Sequence, residues 1–365
     1  MLPLIIRTNI SSLIRHITLI LFLFSTLVAT TANLAYGEKN ENPFAPNVSI
    51  HNYIKGSFTT LEKPVTGSNN VTIGIYGINI CDLDLNSNTY HLSAYVWMKW
   101  NGNSDPTKSL EFVNMVENSG AIKKILLDSP TILKNGEKYQ IMRIEGSFFQ
   151  PFDLKNYPLD QQELSLYIEN SGQTYDKVDY FSETESTGYD SNMIIPGWHL
   201  KGVNVKSYIH DYKTAFGEKG NSNASKYSSL KYSFQLQRDT NFFLWKLFAP
   251  LIIVLMTNWL ALLLKPTFLE VRIAMTTTAL LTIIFMQQTA LDAIPQCSTL
   301  MFIDKVYLLA YLFVLITLLQ IILVNFHLEK ISFSKISKMR KIDIIFFIVQ
   351  VTLFSVIFRI FIMRL

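Results

Sequence analysis

The sequence predicts a β + α membrane protein, in which an exported, immunoglobulin-like antiparallel β-sandwich precedes a bundle of four transmembrane helices. Apolar residues make up 49% of the 365 residues and charged residues only 16%, which is more apolar than an ordinary soluble protein. The apolar residues concentrate after Phe242, whereas residues 40–238 have the composition of a water-exposed domain. We expect a signal peptide over residues 1–37, the sandwich over residues 38–239 and the helical domain over residues 240–365.

The first residues have the order of a secretory signal. Arg7 and Arg15 precede an apolar run that extends from Ile17 to Ala29, and small and polar residues follow it. Cleavage after residue 32 and cleavage after residue 37 both fit the pattern. The alternative is an N-terminal anchor helix, for which the apolar run is short. The domain that follows is therefore expected outside the cytoplasm.

Residues 71–239 read as strands, because β-branched and aromatic residues alternate with polar ones between turn-rich stretches. Many short strands with little helical periodicity indicate two packed antiparallel sheets. The predicted strands are Val71–Ile80, Tyr90–Trp100, Tyr139–Phe148, Glu163–Glu169, Trp198–Tyr208 and Leu230–Gln237.

Four apolar segments follow, and each has about 20 residues or more, enough to cross the membrane as a helix. Basic residues between the third and fourth segments place that connection in the cytoplasm by the positive-inside rule, and residues 292–304, which lack Lys and Arg, outside. We expect a multi-pass protein of the cell inner membrane whose N-terminal domain and C-terminus lie outside the cytoplasm. The predicted spans are Phe242–Leu264, Val271–Leu291, Val306–Phe326 and Ile342–Met363.

The second span carries a polar stripe. At about 100° per residue, eight of its side chains fall within roughly 100° of one another. A polar stripe in a membrane is costly unless it faces water or polar partners, so the alternatives are a pore and polar packing inside the bundle. The acidic residues at both ends favour a pore. The predicted lining residues are Glu270, Ala274, Thr277, Thr278, Leu281, Phe285, Gln288 and Asp292.

The charges of this span predict that the pore passes monovalent cations. Rings of acidic side chains select cations, and rings of apolar side chains close a pore by expelling water, which makes Leu281 and Phe285 the predicted gate. Arg272 lies about 200° around the helix from Glu270, so we assign the lumen to Glu270. One helix cannot surround a channel, so the chain must assemble into a cyclic oligomer.

Other functional classes find little support. The formal net charge of +4 includes no basic stripe suited to nucleic acid. No nucleophile–base set, zinc motif or phosphate-binding glycine loop occurs, so we expect no enzyme, no catalytic residue and no cofactor. The histidines have no metal-ligand spacing, and we predict no metal site. Two cysteines, Cys81 and Cys297, do not make a disulfide framework.

From about Val71 to Leu365 the sequence resembles the pentameric ligand-gated ion channels of the Cys-loop receptor superfamily, and specifically their prokaryotic branch. The most specific match is the segment from Phe149 to Gln162, Phe-Gln-Pro-Phe-Asp-Leu-Lys-Asn-Tyr-Pro-Leu-Asp-Gln-Gln, which is similar to the signature loop of that family. We call this segment the signature loop. Gln150 and Leu164 stand where the animal receptors have cysteines. Further matches are Trp97, Trp100, Arg238, Pro250, Leu281 and Pro295.

The resemblance implies a homopentamer in a lipid bilayer and a route from ligand to gate. It implies that the loop after the first strand, the signature loop and the segment after the second span meet at the membrane face of the sandwich. Arg238 is expected to pair with Asp160, with Asp82 or Asp84 as a second partner. The alternative is that this pair only holds the domains together. The coupling residues that the resemblance implies are Asp82, Asp84, Asp160, Arg238 and Pro295.

The resemblance also places ligand between subunits, under the hairpin around residues 212–227. Aromatic side chains there suit a cation, although tyrosines in strands are more often packing residues. Scattered carboxylates and histidines leave Ca²⁺ and protons open as alternative stimuli or modulators, so the agonist stays unidentified. A membrane-anchored receptor that does not conduct is the second functional hypothesis. The candidate ligand residues are Tyr175, Tyr180, Tyr212, Phe216 and Tyr227.

Overall fold

The computed structural model describes residues 57–60, 69–116, 120–214, 216–217, 226–292, 294–295, 300–329 and 336–363. The predicted signal peptide and Cys297 lie outside the described residues. The described residues form strands up to Arg238 and helices from Thr240 onward.

All six predicted strands are present, and they are the longest strands of the sandwich. The described residues contain six further strands of two to five residues, which are short for an alternating pattern to be read from sequence. The strands are β1 Ser57–Thr60, β2 Asn69–Asp84, β3 Thr89–Trp100, β4 Leu110–Phe112, β5 Ile122–Ile125, β6 Thr131–Ile132, β7 Lys138–Phe149, β8 Gln161–Asn170, β9 Val178–Ser182, β10 Gly188–Tyr189, β11 Trp198–Asp211 and β12 Lys226–Arg238.

The strands form two sheets packed face to face. One has the order β1-β11-β12-β8-β4, and the other has the order β10-β2-β3-β7-β5, with β9 on β2 and β6 on β7. Alternate residues of both sheets, such as Ile73 of β2, Leu166 of β8 and Phe234 of β12, are fully buried in one core. Both β9 and β10 run parallel to β2, along successive parts of its free edge, so the sandwich is not antiparallel throughout.

Four long helices follow, and each is long and apolar enough to cross a membrane. The predicted sandwich and four membrane-spanning helices are confirmed. A helical turn, Thr240–Phe243, and a π-helical segment, Leu244–Phe248, come first. Pro250 cannot donate a hydrogen bond to the preceding turn, which explains the irregularity there. The helices are α1 Ala249–Leu263, α2 Leu269–Leu291, α3 Phe302–Glu329 and α4 Ile336–Met363.

The signature loop packs the sandwich onto the helices. Leu154 and Tyr157 are buried within the same apolar cluster as the helical side chains. Leu85, on the turn after β2, and Phe152 and Leu159 pack against this cluster while partly buried. The signature loop therefore reaches the membrane domain, and the turn after the first long strand packs against the same cluster.

Candidate functional site

The pore-lining residues predicted from sequence share one face of α2, and all eight are exposed in the chain. The buried residues Arg272, Thr276, Ala279 and Ile283 lie on the opposite face. At about 100° per residue the centres of the two faces are about 180° apart. The polar stripe therefore does not pack against the other helices of its own chain, which removes polar packing within one bundle as its explanation.

The exposed face of α2 carries acid at both ends and apolar side chains in the middle. Glu270 and Asp292 are exposed at opposite ends of the helix, which is roughly 34 Å long. Leu281 is 53% exposed and Phe285 is 63% exposed between them. In a ring of copies, this face offers water two acidic zones separated by an apolar constriction.

At the junction of the two domains, Arg238 forms an ion pair with Asp160. Its Nε donates to Oδ1 of Asp160 at 2.6 Å and its Nη2 donates to Oδ2 at 2.9 Å. Both residues are buried, and the amide of Gln162 also donates to the Asp160 carboxylate, at 2.6 Å. The pair therefore has the two-pronged, charge-assisted geometry that holds two segments in one orientation.

Aromatic rings enclose the other sides of the Arg238 guanidinium. Its carbon lies 4.0 Å from the ring centre of Trp198 and 4.9 Å from that of Tyr157. The prediction that Asp82 or Asp84 is a second ion-pair partner of Arg238 is wrong on this geometry. Asp82 and Asp84 are exposed, and Asp84 accepts hydrogen bonds from residues of its own turn, because the turn curls back on itself.

The signature loop touches the helices through its backbone as well as its side chains. The N–H groups of Phe302 and Ile303, at the start of α3, donate to the carbonyls of Lys155 and Tyr157 at 2.9 and 3.2 Å. These bonds satisfy N–H groups that a helix start leaves without a partner. Pro295 follows the end of α2 and is half-buried, and residues 296–299 lie outside the described part of the chain.

A hydrogen bond links the start of the signature loop to the strand that follows it, where the resemblance puts a disulfide. The amide oxygen of Gln150 accepts from the backbone N–H of Ser165 at 3.0 Å. Ser165 is next to Leu164, which stands at the second cysteine position. The side chain of Gln150 is buried, so water competes little for this bond.

Three of the five candidate ligand residues form one aromatic cluster at the base of the hairpin. The ring centre of Tyr212 lies 5.2 Å from that of Phe216 and 5.8 Å from that of Tyr227. Phe216 is 62% exposed, and Tyr212 and Tyr227 are half-buried. His210 extends the cluster inward, with its ring centre 3.9 Å from that of Tyr212.

A carboxylate that the sequence analysis did not single out lies under this cluster. Glu169 accepts hydrogen bonds from the Tyr212 hydroxyl at 2.7 Å and from the Ser229 hydroxyl at 2.6 Å, and its Oε2 lies 2.9 Å from Nδ1 of His210. Burial, reinforced by the charge of Glu169, raises the pKa of Tyr212, so this hydroxyl remains a donor. The signal available in the sequence was a Glu that follows the alternating apolar residues Leu164, Leu166 and Ile168 near the end of a predicted strand.

A second carboxylate lies directly across from the first. Glu111 of β4 is the cross-strand partner of Glu169 and is exposed. Like charges opposite one another in a sheet are destabilising. The two carboxylates therefore form an acidic patch beside the aromatic rings.

The other two candidate ligand residues, Tyr175 and Tyr180, lie outside this aromatic cluster and differ in burial. Tyr175 is half-buried beside the hairpin base, where its N–H donates to the Lys226 carbonyl at 3.0 Å. Tyr180 is wrong as a ligand residue, because it is fully buried in the sandwich core and its hydroxyl bonds to Asn170. Its strand lies along β2, and that register turns the ring inward.

The carboxylates weighed as Ca²⁺ or proton sensors are dispersed. Within the described ranges, no group of three or more His, Cys, Asp or Glu side chains could hold a metal ion. Glu183 bonds to Lys99 at 2.7 Å and to the indole of Trp97. Partial burial raises the pKa of Glu183, but these hydrogen bonds outweigh it and leave the pKa below its ordinary value.

Comparison with known proteins gives relatives at low identity, and no protein-family model matches the chain. The chain is 23% identical over 332 residues to "Gamma-aminobutyric acid receptor subunit beta-4" of Gallus gallus, covering 83% of the chain and 65% of the relative. It is 26% identical over 195 residues to "Gamma-aminobutyric acid receptor subunit beta" of Lymnaea stagnalis, covering 53% of the chain and 37% of the relative.

A third relative is "Gamma-aminobutyric acid receptor subunit beta-like" of Drosophila melanogaster, 26% identical over 202 residues, which are 55% of the chain and 38% of the relative. The chain thus spans less than two thirds of the length of these relatives. All three are receptor subunits and not enzymes, which confirms the expectation that the chain is not an enzyme. The chain is a multi-pass membrane protein similar to subunits of γ-aminobutyric acid receptors.

Proposed function

We propose that the chain is one subunit of a homopentameric, ligand-gated, cation-selective ion channel of the Cys-loop receptor superfamily. The observation that carries the proposal is the exposed polar stripe of α2, which lies opposite the face that packs into the bundle. A five-fold ring gives this stripe water to face, whereas lipid would leave its glutamine and acidic residues without polar partners.

Selectivity for cations rests on which charge reaches the lumen. Glu270 is exposed on the stripe, whereas Arg272 is buried on the other side of the helix. Five copies of Glu270 form an acidic ring at one mouth of the pore, and Asp292 forms another at the opposite mouth. Acidic rings attract cations and repel anions.

The stimulus we propose is a small molecule that carries an ammonium group. Glu169 and Glu111 supply negative charge, and Tyr212, Phe216 and Tyr227 supply ring faces that attract a cation. The similar proteins are named as receptors for γ-aminobutyric acid, which carries such a group. An ammonium bound here relieves the repulsion between the two carboxylates.

One strand supplies a direct route from this site to the pore. Tyr227 lies at the start of β12 and Arg238 at its end, roughly 36 Å away. Arg238 holds Asp160 of the signature loop, and the same loop bonds to the start of α3. Ligand that favours one position of the hairpin thereby favours one arrangement of the helices, and the closed–open equilibrium shifts.

The prokaryotic assignment and the location in an inner membrane are part of the same proposal. The hydrogen bond from Ser165 to Gln150, in place of a disulfide, supports them. The signal peptide, with the sandwich and the C-terminus outside the cytoplasm, completes the proposed topology.

The test is current through the purified full chain in planar bilayers under an asymmetric NaCl gradient. The bath is stepped through γ-aminobutyric acid, a panel of primary amines, pH and Ca²⁺. We expect an amine-evoked current that reverses near the sodium potential. Reversal near the chloride potential would contradict the cation assignment, and silence from a pentamer that still binds an amine would favour the non-conducting receptor.

A further inference from the structure

A buried ion pair joins the stripe-bearing helix to the last helix of the bundle. Nη2 of Arg272, in the first turn of α2, donates to Oδ2 of Asp343 on α4 at 2.9 Å. Arg272 is 1% exposed and Asp343 is 0% exposed, so neither charge reaches solvent within the chain. Nothing in the proposed gating route uses this pair.

The pair is the meeting point of all four helices. Nε of Arg272 donates to the carbonyl of Ala261, in the last turn of α1, at 3.0 Å. The amide of Gln320, on α3, donates to the other Asp343 oxygen at 3.3 Å. The guanidinium is therefore held from two directions, and the carboxylate that holds it is itself oriented by a third helix.

This arrangement fixes how α2 is turned. Arg272 is two residues from Glu270, so one side chain can be buried only while the other points away from the bundle. A buried charge is stable only while it is paired and hydrogen-bonded. Without Asp343, Arg272 would have to be reached by water, either because α2 turns or because water enters the bundle beside it.

We propose that Asp343 is a positioning residue for the pore helix. It holds Arg272 inside the bundle, and it thereby keeps the Glu270 stripe on the face that meets the neighbouring copies and the lumen. A residue on the last helix thus determines which charged side chain of α2 faces the permeating ions. Only this consequence for ions rests on the proposed channel function, because the positioning itself is a property of the packed chain.

The experiment measures water access to the buried face of α2, with no need for current. Thr276 is fully buried one turn beyond Arg272, and its hydroxyl donates to the Arg272 carbonyl at 3.0 Å. Thr276→Cys is made in the full chain with Cys81→Ser and Cys297→Ser, reconstituted in liposomes and treated with a charged methanethiosulfonate. Thr277→Cys, on the exposed face, is the positive control for labelling.

We expect position 276 to be protected in the parent and modified at least about tenfold faster after Asp343→Asn. Asp343→Glu, which keeps the charge, and the double change Arg272→Gln with Asp343→Asn, which removes both charges, should both keep position 276 protected. Arg359→Gln alters an exposed charge elsewhere on α4 and should change nothing. Equal protection in the parent and in Asp343→Asn would overturn the proposal.

If Asp343→Asn fails to assemble, the oligomer size measured by gel filtration provides a second readout that still tests the proposal. Recovery of assembly in the double variant would then show that the unpaired Arg272 is the defect, as proposed. Loss of assembly in the double variant as well would show that Asp343 matters for packing and not for Arg272, against the proposal. In conducting channels, Asp343→Asn should also move the reversal potential toward that of chloride, and the double variant should restore it. A silent parent would contradict the proposed channel and leave the labelling result standing.

Discussion

Arg238 and Asp160 join the end of the last strand to the signature loop through two hydrogen bonds, one to each carboxylate oxygen. The strand ends at this arginine, and the chain enters its first helical turn two residues later. These two hydrogen bonds fix the end of β12 to the loop.

Replacing Arg238 should separate coupling from folding. Arg238→Gln leaves Asp160 buried and unpaired, at a cost of about 3–5 kcal/mol, so we expect a lower midpoint of thermal unfolding and no evoked current. Arg238→Lys keeps a charge but loses the two-pronged geometry, so pentamers should form and respond weakly. Lys231→Gln, which removes a partly exposed ion pair with Glu163, is the control and should have little effect. If Arg238→Lys prevents assembly, the pair holds the domains together and does not transmit.

Leu281→Ala should weaken the apolar constriction. The smaller side chain admits water more readily, so the open probability without stimulus should rise by about an order of magnitude. Single-channel recording in stimulus-free buffer measures it. Leu280→Ala changes the neighbouring, partly buried residue on another face and is the matched control. An unchanged resting open probability for Leu281→Ala would place the gate elsewhere.

Glu270→Gln should reduce the preference for cations. It removes one acidic ring and leaves Asp292 at the other mouth, so the reversal potential in a NaCl gradient should move part of the way toward that of chloride. Glu137→Gln removes a half-buried carboxylate from the sandwich and serves as the control for charge alone. A reversal potential that does not move would remove Glu270 from the lumen.

Glu169→Gln should weaken binding of an amine. A hydrogen bond to a charged group contributes about 1.5–3 kcal/mol, so the dissociation constant should rise roughly 10- to 100-fold. Isothermal titration of the purified protein with γ-aminobutyric acid and primary amines measures it. Glu163→Gln, on the same strand but paired with Lys231, is the control. Equal affinity in both variants would move the ligand site away from β8.

The Lys99–Glu183 pair should make stability fall in acid. Because the folded pKa of Glu183 lies below its unfolded value, its contribution is complete above the unfolded pKa and is lost as pH falls through the folded pKa. The midpoint of thermal unfolding of Glu183→Gln should therefore lie below that of the parent at neutral pH and converge with it in acid. A gap that stays constant with pH would show that Glu183 contributes by packing alone.

The sequence was sufficient for elements whose pattern is local. The long strands are recognised by their alternating pattern and the four helices by the length of their apolar segments. The stripe of α2 follows from residue spacing along one helix. The short strand β9 has no such pattern. Its Tyr180 is buried because β9 lies along β2, and this pairing brings together residues more than a hundred positions apart.

The charged groups of the candidate sites were harder to predict because their partners are distant in sequence. Glu169 meets His210 and Ser229 only through the pairing of three strands. Arg272 was assigned away from the lumen by its angle on the helix, but its partner Asp343 is 71 positions later. By charge alone, Asp82 and Asp84 could have paired with Arg238. The local turn whose donors bind Asp84 could not be predicted from the charges in the sequence.

Because backbone hydrogen bonds join α3 to the signature loop, the sandwich and the helical domain should be difficult to exchange separately between receptors. Two N–H groups of a membrane helix have their acceptors in a loop that precedes them by about 150 residues in the chain. A chimera that took its sandwich from one receptor and its helices from another would have to match the shape of this loop to the first turn of α3. Grafts cut at the end of β12 should therefore succeed only when the loop travels with the helices.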